Sequence, residues 1–305
     1  MKYLKYIAIV ILSAGIFSCA SDYIYEKELY KQVISLICSD SYNVLEDTQD
    51  LTDGEIVSYI SVSCGGTGTV ATDVRISIIE DEEKLEDYNW AKYDADRTQY
   101  AKRLPSWRYK IEDNHIYIPK GERFGKMKIT FNPNGLSPDT AYFLPLAIGS
   151  VSAYEINPAK NNVLYRVMIK NFYAEQSASY TLYTVNGFKN ETAIAISKQM
   201  QPLSRNKVRM MAGDIEFKAS IPAFEDNAVV LEVANDNSVT IKPYKTDGTL
   251  AVTQLNDDPD YPNAFRIITD WGKKYKKFYL HYKYKAGSAA EVEMKEELSL
   301  EYTDY

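Results

Sequence analysis

The residue types that usually carry catalysis are scarce in this sequence. Among its 305 residues only His115 and His281 are histidines, and only Cys19, Cys38 and Cys64 are cysteines. Two histidines leave little scope for histidine-based acid–base catalysis or for a zinc site built on histidine. The chain contains no Gly-x-Ser-x-Gly elbow, His-Glu-x-x-His pair or phosphate-binding loop. We therefore expect a protein that is not an enzyme, with no metal and no cofactor.

Carboxylates are plentiful, but their positions do not single out a site. A glycosidase needs two carboxylates at a set separation, and with 42 Asp and Glu residues any pair could be nominated. The run Asp257–Asp260 lacks the regular spacing and the glycine of a calcium-binding loop, so it predicts a solvated turn. The formal net charge of -7 also argues against nucleic-acid binding, which requires a clustered basic surface.

Aromatic side chains in polar segments are the remaining candidates for a binding site. An exposed ring can pack against the apolar C–H face of a sugar, while neighbouring polar groups bind the hydroxyls. Trp271 lies in a polar stretch before a strand, with Tyr275 just after it and Tyr261 in the preceding loop. Trp271 is either part of such a platform or a plug in the mouth of a barrel. Trp90 and Tyr93 either line a groove or hold a long loop against the domain.

The first 30 residues read as an export and anchoring signal. Lys2 and Lys5 precede an apolar run from Ile7 to Phe17, which is too short to span a bilayer, and Cys19 follows it. The ending Ile-Phe-Ser-Cys resembles a lipobox. We therefore predict a signal peptide over residues 1–18, a lipidated Cys19, and a tether through residue 30. The alternative is an ordinary secretory signal in which this cysteine has no role.

Alternating apolar and polar residues dominate residues 31–170 and predict a β-sandwich. Three clear examples are Val74–Ile78, Met127–Phe131 and Val163–Ile169. Pro145 cannot donate to a ladder, so we expect it at an edge or a bulge. The acidic segment Glu80–Gln99 predicts a short helix followed by a long loop.

Residues 171–305 predict a second all-β unit. Val229–Val233, a polar turn and Val239–Tyr244 read as strand, turn and strand, and Phe278–Tyr284 alternates clearly. A meander of about eight strands favours an antiparallel β-barrel, which removes exposed sheet edges.

Cys38 and Cys64 end two successive apolar runs. If those runs pair as an antiparallel hairpin, the two cysteines lie roughly 20 Å or more apart at 3.3 Å per residue. A disulfide needs Cα atoms within about 7 Å. The spacing favours two buried thiols, with a bridge as the alternative if the first strand pairs elsewhere.

Several motifs resemble a large set of Bacteroidetes surface lipoproteins. The N-terminal half is similar to their N-terminal domain of unknown function, through Asp73–Ile78, Tyr88-Asn89, Leu104-Pro105, Tyr109, Ile118–Gly121, Leu136 and Tyr142–Leu146. The later stretch Phe278–Tyr284, followed by the acidic Glu293–Glu301, is similar to their C-terminal domain. The resemblance implies an immunoglobulin-like β-sandwich followed by a calycin-like (lipocalin-type) barrel.

The resemblance also implies a place and a role. Such proteins accompany outer-membrane glycan importers, so we expect a lipid-anchored protein of the outer membrane that faces the cell exterior. The expected function is non-catalytic binding of a poly- or oligosaccharide as an accessory of uptake, beside outer-membrane transporter proteins. The membrane contact would be made through the lipid anchor only. The alternative is a structural or adhesin-like lipoprotein that contacts other proteins.

Overall fold

The computed structural model describes residues 31–39, 41–51, 54–176 and 181–303. The predicted signal peptide, Cys19 and the whole tether lie outside the described residues. The described N-terminal part contains the strands β1 (Val33–Leu36), β2 (Val44–Asp50), β3 (Ile56–Cys64), β4 (Val74–Glu80), β5 (Lys102–Arg103), β6 (Tyr109–Lys110), β7 (His115–Ile118), β8 (Phe124–Phe131), β9 (Tyr142–Val151), β10 (Glu155–Ile156) and β11 (Asn162–Lys170).

These strands form two sheets that pack face to face. One sheet has the order β10-β1-β3-β8-β6, and the other has the order β2-β11-β9-β4-β7, with β5 beside β9. Helix α1 (Glu82–Tyr93) follows β4, and short 3-10 turns occupy Arg97–Gln99, Ser106–Arg108 and Pro158–Lys160. The predicted sandwich is therefore confirmed, as is the helix in the acidic segment.

The sandwich core comes from the alternation seen in the sequence. The apolar members of Val74–Ile78 and Met127–Phe131 are buried in one continuous cluster between the sheets, while their polar neighbours face outward. At about 25 cal/mol for each Å² of apolar surface removed from water, this cluster is the main stabilising contribution to the sandwich.

Pro145 was predicted at an edge or a bulge, but it lies inside a central strand, and the register shift between β9 and β4 falls near Gly149 instead. Pro145 pairs with Leu164 on β11, and β9 also pairs with β4 on its other side. The Pro145 carbonyl accepts from the amide of Asp81, 3.2 Å away, just past the end of β4. In a strand the N–H and C=O of one residue point the same way. The missing N–H of Pro145 therefore faces a place where the neighbouring strand has already ended.

The C-terminal part consists of nine described strands and one short helix. The strands are β12 (Thr181–Lys189), β13 (Thr192–Ser204), β14 (Lys207–Met211), β15 (Ala228–Val233), β16 (Val239–Pro243), β17 (Leu250–Gln254), β18 (Ala264–Asp270), β19 (Lys273–Ala286) and β20 (Val292–Tyr302), and α2 spans Ile221–Asn227.

Eight of these strands form a nearly closed antiparallel barrel. Their order is β16-β15-β14-β13-β12-β20-β19-β17, and β18 adds a hairpin partner to β19. Phe278, Leu280, Tyr282 and Tyr284 point into the core, as their alternation predicts. His281 lies on the outward face of β19, where exposure is expected, but it is buried. The β17–β18 loop covers it, since Asn263 and Leu255 of this loop hydrogen-bond to the His281 backbone. The predicted all-β fold, a sandwich followed by an antiparallel barrel, is confirmed.

The two cysteines of the sandwich lie on neighbouring antiparallel strands. Ile34 is opposite Cys64 in the β1–β3 register, and Cys38 lies four residues farther along. That offset corresponds to roughly 13 Å at 3.3 Å per residue, beyond the reach of a disulfide. This distance between Cys38 and Cys64 is shorter than the predicted 20 Å or more. The reason is that β1 pairs only with the last part of β3. Cys64 is buried, whereas Cys38 is only half-buried.

Polar contacts join the sandwich to the barrel. The Arg209 guanidinium, from β14, forms a two-pronged ion pair with Asp139 of the sandwich. Gln176 donates to the carbonyl oxygen of Pro138 at 2.8 Å. Asn171, directly after β11, donates to the carbonyls of Ser204 and Lys207 at 2.6 and 2.9 Å. The chain is thus fixed to the barrel as soon as it leaves the sandwich.

Candidate functional site

Trp271 lies at the tip of the β18–β19 hairpin and is 96% exposed. Asp270 and Lys273 are paired, so Trp271 and Gly272 form a two-residue turn, with φ of +49° and +77°. Positive φ at both positions is the type I′ geometry that matches the twist of a hairpin. Of the two alternatives for Trp271, the structure shows an exposed ring rather than a plug in the barrel mouth.

Only one of the other predicted platform residues shares this hairpin. Tyr275 is half-buried on β19, opposite Ile268. Tyr261 precedes β18, whose first residue Ala264 pairs with Tyr279. Seven residues separate Ala264 from Trp271, which corresponds to about 23 Å at 3.3 Å per residue. Trp271 and Tyr261 therefore do not belong to one platform.

Trp90 and Tyr93 lie on α1, against the sandwich and not on the barrel. Trp90 is 61% exposed. Tyr93 is half-buried and packs edge-on against Tyr88, with ring centroids 6.3 Å apart. Lys92 donates to the Tyr88 hydroxyl at 2.9 Å, and this hydrogen bond raises the pKa of Lys92. Tyr93 thus helps to hold α1 against the sandwich, while Trp90 projects into solvent.

Two aromatic residues that the sequence analysis did not select cap the end of the barrel nearest the sandwich. Phe172 and Tyr173 lie in the connection after β11, and the Tyr173 ring contacts Phe265 and Phe278, with centroids 4.9 and 5.7 Å apart. The backbone carbonyl of Tyr173 accepts from the buried Tyr183 hydroxyl at 2.9 Å. Tyr173 therefore plugs the mouth of the barrel, which was the alternative role predicted for Trp271.

Phe172 is the exposed member of this cap. Its ring is 48% exposed and meets Phe265 edge-on. Lys276 of β19 places its Nζ 4.3 Å from the ring centroid. Lys276 is five residues from Trp271, which corresponds to about 16 Å along the strand. The Trp271 hairpin and Phe172 therefore belong to the same end of the barrel.

A cavity of about 670 Å³ lies between the sandwich and this end of the barrel. We call it the interdomain cleft. Its walls combine two aromatic residues, Phe172 and Tyr173, with carboxamides and charged groups, among them Asp50, Asn134, Arg205, Asn235 and Asn237. Carboxamides and charged groups can donate to and accept from hydroxyls, and a ring supplies an apolar face. The cleft can hold a polar ligand longer than a single ring.

A second groove, of about 570 Å³, runs along the outer wall of the barrel and contains Tyr261. Phe188 of β12 lies beside it. Asp258 pairs with Lys295 at 2.6 Å, and this hydrogen bond lowers the pKa of Asp258. Burial raises the pKa of Tyr261. Because Asp258 also accepts from the amide of Asp260, this acidic segment forms an ordered turn against the barrel wall.

The described residues contain no group of three or more His, Cys, Asp or Glu side chains arranged to hold a metal ion. Within the same residues, no helix is long and apolar enough to cross a membrane.

Two family models match the chain in succession. One, described as an N-terminal domain, matches residues 25–155, and the other, described as a C-terminal domain, matches residues 161–299. No curated protein matches the chain in sequence.

Solved structures of Bacteroides proteins share the fold along most of its length. A protein of unknown function from Bacteroides ovatus superposes with a TM-score of 0.63 at 16% identity, covering 92% of this chain and 94% of its own. A multidomain protein of Bacteroides ovatus gives 0.61 at 16% identity, covering 88% and 95%. An auxiliary nutrient binding protein from Bacteroides thetaiotaomicron gives 0.58 at 14% identity, covering 86% and 92%. The chain therefore has the sandwich-and-barrel fold of these Bacteroides proteins.

Proposed function

We propose that this protein is a non-catalytic, lipid-anchored accessory protein of the outer membrane that binds a poly- or oligosaccharide at the cell surface. The sandwich acts as a spacer, and the sandwich-facing end of the barrel acts as the binder. The ligand lies across the Trp271 hairpin and enters the interdomain cleft beside Phe172.

The observation that carries this proposal is the exposure of Trp271 on a left-handed backbone. A left-handed conformation costs a residue with a Cβ about 1–2 kcal/mol, and asparagine or glycine tolerates it best. An indole that is 96% exposed gains almost nothing from burial in return. A tryptophan at this position is therefore explained by what its ring contacts in a complex.

The cleft supplies the polar partners that such a ring requires. A sugar stacked on Trp271 extends towards carboxamides such as Asn134, Asn235 and Asn237, which can bind its hydroxyls. The aromatic candidates on the outer wall and on α1 lie elsewhere, so they do not extend this platform.

Fold and sequence support the same role. One of the structures with this fold is named an auxiliary nutrient binding protein. The lipobox-like sequence before Cys19 and the following tether would place the folded part at a distance from the membrane. Bacterial lipoproteins carry several acyl chains, and more than one chain is needed for a stable anchor.

The test is native affinity electrophoresis of the 20–305 fragment in gels that contain plant, host or fungal polysaccharides. We expect retardation in at least one gel and its loss in Trp271→Asn. The Asn-Gly turn keeps the hairpin and stabilises it by up to about 1 kcal/mol. Phe172→Ala is expected to weaken the same interaction.

Trp107→Ala is the matched control, because Trp107 is also highly exposed but belongs to the sandwich. It should migrate like the wild type, as should Trp90→Ala and Tyr93→Ala. Retention of binding in Trp271→Asn would contradict the proposed site. Migration of the folded wild type unaffected by every polysaccharide would contradict the proposed function and favour the structural or adhesin-like alternative.

A further inference from the structure

The groove on the outer wall of the barrel extends beyond the cavity of about 570 Å³ around Tyr261. A second cavity, of about 460 Å³, adjoins it, and Phe188 and Tyr261 line both. The two cavities therefore form one groove, which we call the outer-wall groove. Each of them lies within the roughly 300–1,000 Å³ of sites that take drug-sized molecules. Together they accommodate more than one sugar ring.

The floor of the outer-wall groove consists of outward-facing side chains of β12 and β20. Asn186 and Phe188 of β12 lie opposite Glu297 and Lys295 of β20, so the four side chains share one face. Ala193 is the small neighbour of Phe188 on β13, and the Phe188 ring is 41% exposed. Both β12 and β20 are hydrogen-bonded to a strand on each side. They therefore offer a ligand side chains and no strand edge to which an extended peptide could add.

The β17–β18 loop forms one side of the outer-wall groove. Asp258, Asp260 and Tyr261 line the groove from this loop. Asp258 holds the loop in place, because it pairs with Lys295 of the floor at 2.6 Å and accepts from the amide of Asp260 at 2.9 Å. The Tyr261 amide donates to the Asp258 carbonyl at 3.3 Å. The ring of Tyr261 is thus fixed beside the floor without help from a ligand.

The outer-wall groove carries an excess of negative charge. Five carboxylates line it, and lysines offset three of them: Lys295 offsets Asp258, Lys277 offsets Glu297 and Lys283 offsets Glu293. The other two, Glu191 and Asp260, are exposed and have no ion pair within the described part of the chain. Asp257 and Glu291 lie next to these pairs and increase the excess, whereas His281, which is bonded to Glu293, offsets at most one charge.

This combination of rings and carboxylates selects a class of ligand. Excess negative charge repels uronic acids and sulfated sugars and attracts cations. A carboxylate forms a shorter and stronger hydrogen bond with an ammonium group than with a neutral donor. An aromatic ring packs against the C–H face of a sugar and also attracts a nearby cation. An amino sugar offers a C–H face and an ammonium group on one ring.

We propose that the outer-wall groove binds a short oligosaccharide of amino sugars. Its rings stack on Phe188 and Tyr261, and its ammonium groups pair with Glu191 and Asp260. This is a site beyond the proposed function, because neither the Trp271 hairpin nor the interdomain cleft takes part in it.

The test is a calorimetric titration of the folded 20–305 fragment with the hexamer of glucosamine, at a mildly acidic pH at which its amino groups are protonated. The hexamer of N-acetylglucosamine is the matched neutral probe, since acetylation removes the charge and keeps the rings. Hexalysine is the cationic probe without sugar rings. We expect the glucosamine hexamer to bind at least about tenfold more tightly than either, because one charge-assisted hydrogen bond contributes that much.

Paired variants tie the signal to the groove. Glu191→Gln combined with Asp260→Asn removes two exposed charges, so it should weaken binding of the glucosamine hexamer about tenfold and leave the unfolding temperature unchanged. Glu83→Gln combined with Glu86→Gln is the matched control, because it removes the same charge from exposed positions on α1 and should bind like the wild type. Phe188→Ala should weaken binding of the hexamer by stacking loss alone.

The outcomes separate this site from the proposed function. Equal binding of the two sugar hexamers, or equal loss of binding in the groove variant and the α1 control, would overturn the amino-sugar site and leave the proposed function in place. Hexalysine binding as tight as that of the glucosamine hexamer would also overturn it, in favour of a basic protein segment. Glucosamine binding that depends on Glu191 and Asp260 and persists in Trp271→Asn supports the site even where polysaccharide retardation fails.

Discussion

Arg209 is a buried charge at the junction between the sandwich and the barrel. Its side chain is 1% exposed. Besides its two contacts with Asp139, it donates from Nε to Gln201 at 2.8 Å. The guanidinium plane stacks 3.7 Å from the Phe224 ring centroid and 4.9 Å from that of Tyr244. Every face of this cation is therefore occupied, and Asp139 is its counter-charge.

Removal of that counter-charge should destabilise the protein strongly. Asp139→Ala leaves the guanidinium buried without its carboxylate, and breaking a buried pair in this way costs about 3–5 kcal/mol. We expect a lower urea midpoint for Asp139→Ala. The double variant Asp139→Leu with Arg209→Met should recover most of the loss, because no unpaired charge remains. Equal stability of the single variant and the wild type would show that the pair does not stabilise the junction.

Some residues of the candidate site could be predicted from the sequence, and others could not, for identifiable reasons. The neighbours of Trp271 are polar or glycine, so its exposure follows from local sequence. The role of Phe172 and Tyr173 depends on Phe265 and Phe278, which are distant along the chain. A cap is defined by its contacts, and no local sequence pattern records those contacts. The buried pair of Lys198 and Glu296 was missed for the same reason, because the two residues meet across β12, which lies between their strands.

At the scale of elements, side chains complete the barrel where backbone pairing stops. β16 and β17 end the strand order and face each other across a seam. Gln254 of β17 spans it, accepting from the amide of Ile241 at 2.9 Å and donating to the carbonyl of Val239 at 3.2 Å. Asn263 continues the seam, since its carbonyl accepts from the amide of Val239 at 2.7 Å. The Gln254 carboxamide thus replaces a missing ladder pair.

This arrangement predicts that Gln254 controls closure of the barrel. Gln254→Leu leaves a backbone donor and an acceptor without partners, which costs about 1–3 kcal/mol. We expect faster amide hydrogen exchange at Ile241 with little change at Leu231 on β15, away from the seam. Gln254→Glu retains the acceptor for Ile241 and should protect that amide better than leucine does. Unchanged exchange at Ile241 in Gln254→Leu would show that the seam is held by other contacts.

The sequence predicts where strands lie better than it predicts which strands pair with each other. β4, β8 and β19 follow apolar alternation, because one face of each contacts a core. β2 has the sequence Val-Leu-Glu-Asp-Thr-Gln-Asp, which gives no strand signal, and it forms through parallel backbone pairing with β11. Pro145 was misplaced because its position depends on where β4 ends. Alternation reports burial, whereas register and neighbour choice depend on residues far apart in sequence.

At the scale of the whole molecule, many tyrosines are held in their neutral form. The chain has 26 Tyr. Burial raises the pKa of Tyr284 to about 12 and that of Tyr109 to about 12. Burial is also the main cause of the raised pKa in Tyr93, Tyr165, Tyr173, Tyr183, Tyr261 and Tyr282. These residues belong to both the sandwich and the barrel, so their ionisation affects the entire fold.

The consequence is a loss of stability in alkali. Below pH 10 the tyrosines are neutral in both states, and their contribution to folding is fully present. Between pH 10 and 12 the unfolded chain loses phenolic protons that the folded chain retains, so the free energy of unfolding falls. One pKa unit corresponds to about 1.4 kcal/mol, so Tyr284, which is nearly buried, accounts for about 2–3 kcal/mol by pH 12.

Urea unfolding at a series of pH values, followed together with tyrosinate absorbance, measures this loss. We expect the urea midpoint to fall steeply between pH 10 and 12, and part of the tyrosinate signal to appear only with unfolding. Tyr183→Phe removes one buried phenol and should reduce the pH slope by about one proton, whatever its effect on stability at neutral pH. If all tyrosines ionised near pH 10 in the folded protein, their burial would not be the cause of alkaline unfolding. If the tyrosinate absorbance instead rises in two stages, first from exposed tyrosines and then on unfolding, the buried phenols are protected from water. The cores of the sandwich and the barrel would then exclude water around the same phenols that fill them.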